Sequence, residues 1–254
     1  MHITMHKMKR CRKTLLMMVL AIGVFIMGAA PDADAGFVLT IDDLSLPGVE
    51  VIIVDNSPVG TATAKGASTA LDAFPGIGTI TFIGGIGGSV FTVNVTTGIS
   101  KPIIGPGKID LLSVNISGAG AGVLEIMLTD TGFLSLPSTP AIKDSVGGVI
   151  VAGGTLTAEG FFDPGNVEFG VTVATPILAF GPGAFSGVSS IGILPADQVT
   201  PFSLTKNVVI THTGAGATSF NNTLEVIPEP STYLLFAVGI LSIIGASYRR
   251  RKKA

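Results

Sequence analysis

Beyond its first dozen residues this 254-residue chain keeps a single imidazole, His212, because His2 and His6 lie beside the only cysteine, Cys11, at the N-terminal end. One histidine cannot build a two-histidine metal site, and the missing thiol removes zinc-thiolate centres, cysteine nucleophiles and disulfides. A serine hydrolase would need a serine on a tight turn, an imidazole and an acid. Ser89 follows Gly87-Gly88 but runs straight into an alternating strand pattern, and His212 closes the stretch Val208-Val209-Ile210-Thr211-His212 as a strand residue. Paired carboxylates could serve a glycosidase. Asp42 and Asp43 are neighbours on a strand and point to opposite faces, whereas Glu159, Asp163 and Glu168 would meet only through the fold. Asp130-Thr131-Gly132 and Asp163-Pro164-Gly165-Asn166 read as turns. Calcium is the ligand that such acidic loops could take, although no Asp-x-Asp-x-Asp-Gly loop is present. The residues predict no enzyme and no cofactor apart from that Ca²⁺ ion. The triplets at Asn94, Asn115 and Asn221 match glycosylation sequons and read as coincidence.

The elements that would carry these residues are strands. At 89–97, Phe91, Val93 and Val95 oppose Thr92, Asn94 and Thr96; at 110–117, Leu112, Val114 and Ile116 oppose Ser113, Asn115 and Ser117; at 123–130, Leu124, Ile126 and Leu128 share one side. Further strands are expected at 37–42, 50–55, 79–83, 149–152, 155–162, 167–174, 186–194, 202–213 and 218–226. Strands apolar on one face bury it against a second sheet, so the expected fold is all-β, a single antiparallel β-sandwich. One short helix could form at 68–74, ahead of Pro75. The 34 glycines cluster at 84–88, 118–122 and 153–154, between strands, where turns ask for positive φ, and Gly214-Ala215-Gly216 is expected to close a hairpin.

Both ends of the chain differ from this body. Lys7, Lys9, Arg10, Arg12 and Lys13 precede an uncharged run at 15–30, Pro31 breaks it, and Ala33-Asp34-Ala35 offers the small residues of a signal-peptidase site. Residues 1–35 are therefore expected to be a signal helix that is removed, leaving Gly36 first; the pair Ala29-Ala30 is a second option. At the other end come Pro228-Glu229-Pro230, an uncharged run at 231–248 of about eighteen residues, long enough for a transmembrane helix, and the cationic cluster Arg249-Arg250-Arg251-Lys252-Lys253, which would stay cytoplasmic. Ile227-Pro228 reads as the start of a spacer to the membrane.

This order resembles the PEP-CTERM sorting segment of Gram-negative bacteria, over about a tenth of the chain. The resemblance implies export across the inner membrane, transient anchoring there, cleavage by an exosortase-type membrane protease and release to the cell surface or extracellular matrix, with exopolysaccharide or biofilm as the setting. Its partners would be signal peptidase, exosortase and, for the body, exopolysaccharide. The body at 36–226 remains open between a structural matrix protein, an adhesin or binding module with or without Ca²⁺, and a hydrolase working through Glu159, Asp163 or Glu168.

Composition narrows these alternatives. Between residues 36 and 227 there are five lysines, no arginine and fourteen acids, a net charge of −9 that repels phosphate backbones and argues against nucleic acid. Tryptophan is absent and both tyrosines, Tyr233 and Tyr248, lie in the C-terminal segment, so the body has no Trp or Tyr ring on which a sugar could stack.

Overall fold

The computed structural model describes residues 36–48, 50–55, 64–65, 72–73 and 76–229. The expected signal segment with Ala33 and Ala35, Pro230, the helix at 231–248 and the cluster Arg249 to Lys253 lie outside the described residues, as does most of the candidate helix at 68–74. Among the described residues no helix is long and apolar enough to cross a membrane.

Among the described residues, alternating apolar residues produce fourteen strands in two antiparallel sheets. The larger sheet contains β1 (Val38–Asp43), β2 (Glu50–Val54), β3 (Ala64–Lys65), β7 (Ala121–Phe133), β9 (Gly154–Asp163), β10 (Val173–Ala174), β11 (Leu178–Phe180) and β13 (Phe202–Thr213). Its order is β10-β9-β13-β7-β1-β2-β3, with β11 also paired to β9. The smaller sheet runs β12-β8-β14-β6-β5-β4, from β4 (Thr79–Gly85), β5 (Phe91–Ile99), β6 (Lys108–Gly118), β8 (Pro140–Val151), β12 (Gly183–Gly192) and β14 (Gly216–Pro228). The facing sides bury Leu39, Ile41, Ile126, Leu128, Leu156 and Val208 from one sheet and Ile80, Val93, Ile109, Val114, Ile142 and Leu224 from the other. Phe202 packs between Phe133 at 5.3 Å and Phe162 at 4.7 Å between ring centroids. Fully burying one such side chain contributes about 1.5–3 kcal/mol.

Three expectations need correction. Gly214-Ala215-Gly216 does not close a hairpin within one sheet: it leads from β13 to β14 in the other sheet, as the stretches at 118–122 and 153–154, which do lie between strands and where Gly153 has φ 31°, lead from β6 to β7 and from β8 to β9. Gly118, Gly154 and Gly216 have ordinary φ values; what they supply is room, because a Cβ on Gly118 would run into the His212 ring, one on Gly154 would come within 2.7 Å of the Thr211 carbonyl oxygen and 3.2 Å of the His212 ring, and one on Gly216 would come within 2.7 Å of the Val151 carbonyl oxygen. The strand expected at 167–174 is mostly a tight loop. Pro164 lacks an N–H, Asn166 and Phe169 take positive φ (55° and 56°), and only Val173–Ala174 pairs. Asp130-Thr131-Gly132 is not a turn but lies within β7, where Gly132 has φ 75° and the β13 register shifts.

Bulges also interrupt the alternation. Register shifts in β5 around Asn94 to Thr97 reverse its phase, so Thr96 is buried although Thr92 and Asn94 are exposed. In β6 the extra residue is Ser113 (φ 54°), which puts Ile109 and Leu111 on the same buried side as Val114 and Ile116 and leaves Leu112 half-buried. β8 is three times the length expected because Gly147-Gly148 hides its strand signal.

Candidate functional site

Bulges and glycines together shape the outer face of the smaller sheet. Gly147 and Gly148 on β8 leave a groove of about 380 Å³, lined by Ser113, Asn115, Ser219 and Asn221. The Asn221 side-chain oxygen accepts the Ser113 N–H at 2.6 Å, satisfying the amide that the bulge releases from the ladder. Beside the groove, Asn94 Nδ2 donates to Asn115 Oδ1 (2.6 Å) and to Ser117 Oγ (2.7 Å). All three sequon asparagines thus occupy one face, as amides and hydroxyls that can donate and accept hydrogen bonds, with no charge lining the groove.

The residues singled out for catalysis do not assemble. Ser89 Oγ donates to Asp43 Oδ2 at 2.5 Å and accepts the Phe91 N–H at 2.9 Å, which fixes the turn between β4 and β5. Asp43 is buried and Asp42 half-buried on the opposite face, as strand geometry requires. Asp163 accepts the Val167 N–H (3.0 Å) and the Thr172 hydroxyl, organising its loop. Glu168 is exposed. Glu159 lies four residues before Asp163 on the same face of β9, about 13 Å away at strand rise, beyond the carboxylate separations of glycosidases. Desolvation, then the Asp144 charge, raises the Glu159 pKa. Among the described residues no three His, Asp or Glu side chains gather into a metal-holding group.

Asp130, the other turn candidate, is fully buried and bonded to Ser100 Oγ and to Lys101 Nζ at 2.7 Å. Burial raises its pKa, and the Lys101 charge opposes that shift. Lys101 also sits 4.4 Å above the Phe133 ring. His212 is buried at the end of β13, its Nε2 2.9 Å from Thr218 Oγ1 and its ring 5.4 Å from Phe91; burial lowers its pKa. It is enclosed by the glycine crossings and is a packing residue of the sandwich end.

Sequence reasoning missed a second polar constellation, inside the sandwich. Lys206 projects from β13 in phase with Leu204 and Val208 and is completely buried. Its Nζ lies 3.5 Å from Asp144 Oδ1 of β8, which accepts a hydrogen bond from Asn222 Nδ2 of β14 at 2.6 Å. Asp144 and Asn222 are also fully buried, and Asp110 of β6, bonded to Lys108 at 3.2 Å, is nearly so. Among the described residues, Lys206 Nζ, Asp144 Oδ2, Asn222 Oδ1 and Asp110 Oδ1 find no hydrogen-bond partner. Burial lowers the Lys206 pKa to about 7 despite the attraction of Asp144 and Asp110. The signal was legible for Lys206, since an alternating strand at 202–213 puts it on the apolar face.

At the C-terminal edge of the described region β14 continues to Pro228, whose partner is Pro140, and the Glu229 N–H donates to Thr139 O at 2.7 Å. Residues 226–252 match the family model of the PEP-CTERM protein-sorting motif. The first residues that match the PEP-CTERM motif therefore belong to the sheet, and Ile227 and Pro228, expected to begin a spacer, end β14. Proline suits the last position of the strand, where no further N–H is needed.

No curated protein matches the chain. Solved structures that overlap it include a Stig cyclase from Fischerella sp. TAU (12% identity, 71% of this chain and 98% of that one, TM-score 0.35). Another is a family 11 carbohydrate-binding module from Clostridium thermocellum (13%, 61% and 93%, 0.29). A third is the adhesin domain of Lys-gingipain from Porphyromonas gingivalis (13%, 60% and 99%, 0.25). At these TM-scores the likenesses carry no argument about function.

Proposed function

We propose that this is an exported, non-catalytic protein of the cell surface or extracellular matrix. A signal peptidase removes residues 1–35, the segment at 231–248 holds the chain transiently in the inner membrane, and an exosortase-type protease cuts near Pro228 to Pro230. The observation that carries the reading is the PEP-CTERM match over residues 226–252, with its proline-glutamate-proline start and basic end. The body then acts by binding, and the groove of Ser113, Asn115, Ser219 and Asn221 is the surface suited to it. Uncharged amides and hydroxyls hydrogen-bond a polyhydroxylated chain such as exopolysaccharide without the aromatic platform that the body lacks.

Mass spectrometry of protein recovered separately from cells and medium tests the sorting route. The extracellular form should begin at Gly36 and end near Glu229 or Pro230. An extracellular form that retains Arg249 to Lys253 would refute processing.

A further inference from the structure

A lysine that is wholly enclosed between two sheets, whose ammonium has among the described residues only a long 3.5 Å contact with Asp144 Oδ1, is a costly arrangement if the residue only fills space. The cost disappears if the nitrogen is acylated. Its surroundings contain what acylation needs: an amide carbonyl as electrophile, contributed by Asn222, and a carboxyl group, Asp144, whose Oδ1 lies 3.5 Å from the lysine nitrogen and 2.6 Å from the nitrogen that would leave.

We propose that Lys206 and Asn222 form an intramolecular isopeptide bond that ties β13 of the larger sheet to β14 of the smaller one, with Asp144 as the proton shuttle. The neutral Lys206 amine attacks Cγ of Asn222, so the Nζ–Cγ bond forms. Asp144 takes the proton released from Nζ and gives one to Nδ2; the Cγ–Nδ2 bond breaks and ammonia leaves. Amine plus primary amide becomes secondary amide plus ammonia, the carboxyl group is returned unchanged, and no oxidant or cofactor takes part.

Three features favour the step. Burial makes the amine a nucleophile, since a lysine with a pKa near 7 is substantially unprotonated at neutral pH. One carboxylate oxygen faces both nitrogens, the arrangement that a single proton carrier requires. The core leaves Asn222 Oδ1 and Asp144 Oδ2 without partners, so the carbonyl is not held in a competing network. The bond would also supply the inter-sheet cross-link that a body without cysteine cannot make as a disulfide.

The test is peptide mass spectrometry on the full chain as it is produced, digested with trypsin after denaturation. The proposal expects the bond after Lys206 to resist trypsin, and the peptide beginning at Asp144 to run through it with the mass of one ammonia missing, mapped to Lys206 and Asn222. Lys206→Met must abolish that loss, which separates the cross-link from deamidation chemistry elsewhere. Asp144→Asn, of nearly the same shape, should restore the full mass and the tryptic cut. Cleavage after Lys206 with full sequence mass in the parent protein overturns the proposal. So does loss of one water mapped to Asp144, or an ammonia loss that persists in Lys206→Met.

Discussion

Two adjacent glycines on β8 should respond oppositely to the same substitution. A Cβ on Gly148 would fall on the Ser219 carbonyl oxygen and within 2.7 Å of Phe220 Cβ and 2.8 Å of Phe220 Cα. Two of these three neighbours are backbone of the strand paired with β8, so relief requires β8 and β14 to separate and cannot come from a side-chain rotation. On Gly147, one residue earlier and facing outward, the same atom would meet Phe185 O at 3.6 Å and Ser186 Cβ at 3.7 Å, ordinary contact. Overpacking of the first kind costs about 1–3 kcal/mol, which at this chain length lowers Tm by roughly 2–12 °C. Relief of glycine's backbone entropy at 147 is worth about 0.5–1 kcal/mol in the other direction. Thermal unfolding of the full-length protein carrying Gly148→Ala or Gly147→Ala measures both. Equal Tm values for the two variants would refute the claim that backbone proximity, rather than turn formation, dictates glycine here.

The remaining predictions concern titration, ligand and groove. His212 is the only imidazole beyond residue 6, and burial depresses its pKa, so its C2 proton should titrate below the usual value of about 6.5. Its contribution to stability is complete above that value and is lost as pH falls through the folded pKa; a Tm independent of pH between 7 and 5.5, with an unshifted resonance, would contradict this. Asn222→Ala leaves Lys206 as a free amine facing Asp144 of β8 and Asp110 and Lys108 of β6. With a folded pKa of about 7 and an unfolded one of about 10.4, the unfolded chain binds more protons between them, so this variant should gain stability as pH rises from 7 to 9, by up to about 1.4 kcal/mol per unit. The parent protein, acylated at Lys206, should lack that gain. The Asp163 loop is satisfied by Val167 and Thr172, so Ca²⁺ or EDTA should leave Tm unchanged; a calcium-dependent rise would establish a site. Gly147→Gln should fill the groove and reduce co-sedimentation with the producer's exopolysaccharide at unchanged Tm, and undiminished retention would remove the groove from the binding surface.

Alternation made the two-sheet fold readable, because each apolar residue on a period of two marks a buried face. Ten of the twelve expected segments, from Phe37 to Val226, coincide with strands, whereas 167–174 does not and 149–152 catches only the end of β8. Where a bulge intervened, the same rule assigned Thr96 and Leu112 to the wrong side, since one inserted residue reverses the phase across it. Glycine hid most of β8, and with it Asp144, from any hydrophobic pattern. The sorting end was legible because its signal is contiguous in the chain. The interior constellation was not, because Lys206, Asp144 and Asn222 meet only after three strands from two sheets are aligned.

β14 is flanked by β8 and β6, hydrogen-bonded along both edges, and its last three residues, 226–228, are the first of the stretch that matches the sorting motif. Any tether attached beyond Glu229 pulls along the strand axis, at right angles to those bonds. Drag on a tethered body would load both ladders in shear, all rungs at once, instead of peeling an edge rung by rung. A load entering at Glu229 along β14 would therefore be shared between β6 and β8.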